Sequence, residues 1–265
     1  MDSINRFITC FALAIVLKST QAQSLAPIQQ QNWQFSLSYG ASIPVGKFNN
    51  SSTESFWTEM NGFPFLLGYL KEDNGFAQVG YNLNLEVSRK LNSRFSIGLS
   101  GSYQRHTLKE EPLEKVLEFV GISENVNVEH SPYESVQVIP FIGYSVYVES
   151  VQISFKLGYG WSELEYPYYF FEASNPSFFG HTVRLEEIAS GILLIGTQAK
   201  LKISEKWSAM GKVDFVSANY SYFNYTNSVP GGSSPREFED EINLRSININ
   251  LGVSYAINGQ KLNKK

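Results

Sequence analysis

Apolar and polar residues alternate with period two over long stretches of this chain. Across residues 33–43 the sequence WQFSLSYGASI places Trp33, Phe35, Leu37, Tyr39, Ala41 and Ile43 on one face and Gln34, Ser36, Ser38, Gly40 and Ser42 on the other. Alternation without a miss marks a strand with one apolar and one polar face. The same pattern predicts strands over 77–88, 95–104, 151–162, 207–217 and 247–257, and over 193–203 with Thr197 on the apolar side. An eighth strand is expected over 136–148, where Pro140 and a continuous apolar stretch leave the facing open.

The connections organise these strands. Those following 77–88, 136–148 and 193–203 are short, about six, two and three residues, whereas 44–76, 105–135, 163–192 and 218–246 each run to roughly thirty. Short and long alternate strictly, and the strand number is even. That is the layout of an antiparallel barrel crossing a membrane, with short turns at one end and long loops at the other. Eleven residues at about 3.3 Å each, tilted by about 40°, rise roughly 28 Å, close to the apolar band of about 25 Å such barrels carry. The expected fold is therefore all-β: an eight-stranded antiparallel transmembrane β-barrel with short periplasmic turns and four long extracellular loops. Aromatic placement agrees, with Trp33, Phe95, Trp207 and Tyr255 at the turn end of their strands and Tyr103, Tyr159 and Trp161 at the loop end. Amphipathic rings favour the two membrane interfaces.

The polar faces carry Gln, Ser, Asn and Gly together with Glu86, Lys156, Lys200, Lys202, Lys212 and Asp214. Eight strands enclose an interior that side chains fill. Glu86, Lys156, Lys200, Lys212 and Asp214 are therefore expected to form a charge network inside, because an unpaired buried charge costs several kcal/mol. A lumen filled in this way is not a wide pore.

Composition sharpens the picture once the first segment is set apart. Arg6, the apolar run 7–17 and the small residues Thr20 and Ala22 before Gln23 read as a cleaved signal peptide over 1–22, leaving 23–265 as one barrel domain with a short basic tail. The only cysteine, Cys10, goes with it, so the mature chain is expected to hold no disulfide, no thiolate metal site and no cysteine nucleophile. Losing Arg6 and Lys18 from the 21 basic residues and Asp2 from the 25 acidic ones moves the net charge from −4 to −5. This mild acidity gives no reason to expect a nucleic-acid partner, which needs a basic stripe. No cofactor is expected.

The chain resembles the eight-stranded OmpA/OmpX-type barrels and, more closely, outer-membrane β-barrel domain proteins of the Bacteroidetes type. The residues carrying the likeness are Ala22-Gln23, the run Gly40-Ala41-Ser42-Ile43-Pro44-Val45-Gly46, the turn Arg89-Lys90-Leu91-Asn92, Ile139-Pro140 and the last strand Leu251-Gly252-Val253-Ser254-Tyr255. The resemblance implies a cell outer membrane as location, with its lipids and the barrel-insertion machinery as partners; an extracellular protein or glycan partner is expected only if the aromatic residues of the third loop form an exposed patch. One departure is the tail with Lys261, Lys264 and Lys265, where such chains often stop at an aromatic residue.

Activity is expected in the long loops, since a rigid scaffold holds binding residues there. The second loop carries seven glutamates against two lysines between Lys109 and Glu134, and Leu113, Val116, Leu117 and Val120 have the spacing of a short amphipathic helix over 112–120. The third holds Tyr166, Tyr168, Tyr169, Phe170, Phe171, Phe178 and Phe179, either packed together above the membrane or forming a binding patch. In the first, the apolar run 63–70 suggests a loop helix or an added strand pair making ten strands. The histidines are His106, His130 beside Ser131, and His181. Some small barrels modify lipid A with a Ser–His–carboxylate site, but the His130-Ser131 spacing does not reproduce such a pair, and the chain is expected not to be an enzyme. A lipid-modifying barrel enzyme and a soluble secreted ligand-binding barrel are the alternatives.

Overall fold

The computed structural model describes residues 31–51, 75–111, 126–165, 169–173, 187–226 and 236–258. Among them ten strands follow in order: β1 Gln31–Pro44, β2 Gly80–Lys90, β3 Phe95–His106, β4 Val126–His130, β5 Tyr133–Val148, β6 Val151–Glu165, β7 Tyr169–Ala173, β8 Glu187–Lys202, β9 Trp207–Thr226 and β10 Arg236–Asn258. Eight of them close a barrel in the order β1-β10-β9-β8-β6-β5-β3-β2, each neighbouring pair antiparallel. Closure of β1 on β10 leaves the barrel no open edge. The remaining two, β4 and β7, come from different loops and pair with each other as a separate antiparallel sheet.

Alternation in sequence becomes alternation across the wall. Leu37, Leu85, Leu99, Leu157, Ile195 and Leu251 lie exposed on the exterior, while Ser36, Ser38, Asn84, Ser100, Lys156 and Asn250 are buried in the lumen. Trp207 packs on Tyr255 at 4.9 Å and Phe95 on Tyr144 at 5.3 Å at the turn end, with the Arg89 guanidinium 5.7 Å over Trp33. At the loop end Tyr39, Tyr81 and Tyr103 form a ladder with ring spacings of 6.0 and 6.1 Å. The exterior is thus an apolar belt between two aromatic girdles, the surface of a transmembrane barrel.

Pro140 explains the undecided facing of 136–148. It points outward opposite Leu99 of β3, and on the β6 side the ladder passes from Val138↔Trp161 to Phe141↔Gly158 without registering Ile139 or Pro140. Proline has no N–H to donate, so the strand tolerates it where one ladder step is skipped. Ile139 and Phe141 then face inward, and Val136, Val138 and Ile142 outward.

Three expectations are corrected. The second strand begins at Gly80, not Ala77, which is fully buried and makes an isolated bridge to Leu108. The fourth connection is 227–235, far shorter than 218–246, because β9 and β10 stay paired from Trp207↔Tyr255 to Thr226↔Arg236. Above Ser217 the outward positions turn polar (Asn219, Ser221, Glu241), so apolar alternation ends while backbone pairing continues. The second loop contains a strand, β4. Residues 1–22, 63–70, 112–120 and the basic tail lie outside the described residues.

The facing yields a direct test. Leu99→Arg places a cation on the lipid side of β3 and is expected to cost about 2–4 kcal/mol near the bilayer midplane. Ser100→Arg, one residue on, crowds the lumen against Glu86, its register partner, instead. Equal unfolding midpoints in bilayers for Leu99→Arg and wild type would show the facing to be wrong.

Candidate functional site

The centre of the lumen holds four charges contributed by three strands that are not neighbours in the barrel. Lys156 of β6 places Nζ 2.5 Å from Glu86 Oε1 of β2 and 3.5 Å from Asp214 Oδ1 of β9, and Lys212 of β9 places Nζ 3.4 Å from Glu86 Oε1 and 3.0 Å from Asp214 Oδ2. Each carboxylate meets both lysines, and all four residues are 3% exposed. The Phe141 ring stands 5.5 Å from Lys156 Nζ. Gly196 lies between Lys156 and Asp214 in register, and a Cβ there would come within 2.1 Å of Asp214 Oδ1, so glycine makes room for the cluster. Two charges of each sign cross-link opposite walls and block the lumen.

Lys200 makes no direct ion pair with these four charges. Its ammonium donates to Gln34 Oε1 at 3.1 Å and, at 3.5 Å, to Ser36 Oγ; among the described residues no carboxylate lies within ion-pair distance of it. Between the cluster and the loop end the lumen is filled by neutral hydrogen bonds: Asn84 Nδ2 donates to Ser100 Oγ (2.7 Å), Asn250 Nδ2 to Asn82 Oδ1 (2.9 Å) and Ser102 Oγ to Gln137 Oε1 (2.9 Å).

A cap closes the loop end. After β1, the Val45 N–H donates to the Arg245 carbonyl (2.9 Å), and Gly46, at φ +61° where glycine is favoured, turns the chain into a single 3₁₀ turn over Gly46–Phe48. Phe48 drops into the mouth, 1% exposed, its ring edge-on to His106 and Tyr133 at 5.2 Å each. The returning segment is tied beside it, with Ala77 N–H donating to the Phe48 carbonyl (3.0 Å) and Lys109 N–H to the Phe76 carbonyl (2.8 Å). Lys109 Nζ donates to the Asn49 carbonyl, and partial burial pushes its ammonium pKa down. Leu108, Leu164, Ile192, Tyr220, Ile242 and Leu244 complete an apolar core here.

Under this cap lies a contact no spacing in the chain suggests. His106 Nδ1 meets the Gln78 carbonyl at 2.9 Å and so carries a proton, while Nε2 faces Ser42 Oγ at 3.0 Å. Ser42 Oγ also lies 2.6 Å from Asn248 Oδ1. Nucleophilic activation requires a Ser–His contact of this length, but Ser42 and His106 are 0% and 1% exposed and enclosed by Phe48. His130 is placed differently: Nε2 faces Glu110 Oε1 at 3.2 Å, and Nδ1 faces the backbone carbonyl of Ser131, not its hydroxyl, at 3.3 Å.

Of the aromatic residues expected in the third loop, Tyr169, Phe170 and Phe171 fall on β7, opposite His130, Glu129 and Val128 of β4. Tyr166, Tyr168, Phe178, Phe179 and His181 lie outside the described residues. Among the described residues no group of three His, Cys, Asp or Glu side chains is arranged to hold a metal.

No protein-family model and no curated protein matches the chain. Among solved structures it is similar to a major outer membrane protein from Thermus thermophilus, with a TM-score of 0.47 and 9% identity over 85% of this chain and 99% of that one. It is also similar to neisserial surface protein A, at 0.42 and 8% over 85% and 97%. A third is the outer membrane protease OmpT from Escherichia coli, at 0.39 and 12% over 89% and 99%.

Proposed function

We propose that the chain is an integral outer-membrane protein whose barrel is a closed, non-conducting scaffold that holds a loop-borne interaction surface outside the cell. The observation that carries this reading is the inversion of the wall: an apolar exterior belt between aromatic girdles, around a lumen crossed by ion pairs and capped by Phe48. A soluble barrel has no use for such an exterior. In this reading the turns face the periplasm, residues 1–22 are the cleaved export signal, and the β9–β10 extension and the β4–β7 sheet stand outside the membrane to meet a protein or glycan. The barrel carries no reaction. The residue patterns of β1, the β2–β3 turn and β10 support a place among the Bacteroidetes-type barrels.

The mature protein is expected to fractionate with outer membranes, to migrate differently on a gel before and after boiling, and to give no stable conductance steps in planar bilayers. Recovery as a soluble secreted or periplasmic protein would overturn the membrane reading. Discrete steps abolished by a lumen substitution would overturn the closed lumen.

A further inference from the structure

Beneath the charge cluster the exposure of the inward side chains outlines a cup, buried at its top and accessible toward the turn end. Its upper side is sealed, since Ser42, His106, Leu108 and Tyr133 are at most 1% exposed. Toward the turns the inward positions become accessible: Ser88, Lys90 and Gln152 are half-buried and Lys202 is exposed. The inward charges below Glu86 are Lys200, Lys90 and Lys202, and among the described residues no inward wall position there carries an acid. Glu149 and Glu205 sit on the turns themselves. Glu86 and Asp214 are already shared by Lys156 and Lys212, and among the described residues no carboxylate of the wall forms an ion pair with the three lysines. Lys200, 4% exposed, has only the neutral acceptors Gln34 and Ser36, and Lys90 Nζ donates to Tyr147 OH at 3.0 Å.

We propose that this cup is an anion site taking a small oxyanion of phosphate's charge and size, with Lys200 at its floor and Lys90 and Lys202 at its rim. A buried ammonium without a counter-charge is costly, and a cavity open to solvent acquires that counter-charge from solution. Three point-like ammonium donors suit a multiply charged oxyanion. A metal cation is repelled here, and a neutral sugar leaves the charge unbalanced. The site follows from the wall and is independent of the surface role proposed above; only a periplasmic source for the anion rests on that reading.

The test uses the mature chain folded in detergent micelles, with inorganic phosphate as probe, by titration calorimetry at low ionic strength and phosphorus NMR. Saturable one-to-one binding is expected, weakened about tenfold or more by Lys200→Met and several-fold by Lys90→Gln or Lys202→Gln. Lys206→Gln, on the β8–β9 turn, is expected to leave it unchanged. Sulfate should compete and equimolar chloride should not. The heat-dependent gel shift identifies variants that have folded. If Lys200→Met does not fold, the Lys90→Gln, Lys202→Gln double variant decides, and unchanged binding there sinks the proposal. Absence of saturation at millimolar phosphate, equal binding by folded Lys200→Met, or equal displacement by chloride each overturns it.

Discussion

Glu86→Gln is expected to destabilise the barrel by about 3–5 kcal/mol, the cost of breaking a buried ion pair and leaving its partner uncompensated. The effect is large because Glu86 serves two lysines: Lys156 at 2.5 Å and Lys212 at 3.4 Å would be left to share Asp214 alone. Glutamine keeps the shape, so the loss reports charge and not volume. The complementary expectation separates pairing from mere burial. Combining Glu86→Gln with Lys156→Met removes one charge of each sign, leaves Lys212 paired with Asp214 at 3.0 Å, and should recover most of the loss. Urea unfolding of the protein in bilayers, followed by tryptophan fluorescence, measures both. A single variant as stable as wild type, or a double variant no better than the single, would mean that the four charges do not act as a unit.

Phe48→Ala is the second large effect, about 3–5 kcal/mol for emptying a fully buried aromatic site. Phe48 is the one residue of its short 3₁₀ turn that is buried, and it holds His106 and Tyr133 edge-on. Removing the ring should also loosen the cap locally, so amide exchange at Ala77 and Lys109, which donate to the Phe48 and Phe76 carbonyls, is expected to speed up more than exchange in mid-strand. Conductance should stay absent, since the ion pairs still block the lumen below. Unchanged exchange at Ala77 and Lys109 would show that Phe48 does not anchor the cap.

The barrel was legible because a membrane enforces its pattern. Each strand crossing lipid must alternate, and this made Trp33 through Ile43 or Phe95 through Gln104 readable without any knowledge of partners. The same reasoning explains its limits. Where β9 and β10 rise past the lipid at Ser217 and Arg245, water replaces hydrocarbon on the outer face, the alternation lapses, and a hairpin reads as a long loop. Pro140 hid the facing of β5 because apolar residues there serve both sides of the wall, Ile139 and Phe141 filling the lumen and Val138 and Ile142 meeting lipid. The four central charges could be named as lumen residues from parity alone, but parity says nothing about height or angle around the axis. Those decide that Lys156 and Lys212 reach the carboxylates while Lys200 rests on Gln34.

By itself, then, the sequence determined the class of fold, the direction side chains face in the strands that alternate and the narrowness of the lumen, all of which follow from local alternation and strand number. Only the tertiary structure decided the contacts made across the barrel: the Glu86–Lys156–Asp214–Lys212 cluster, the Ser42–His106 contact beneath Phe48, and the pairing of β4 with β7. These join residues far apart in the chain, and their meeting depends on barrel closure and strand register, which no local pattern encodes.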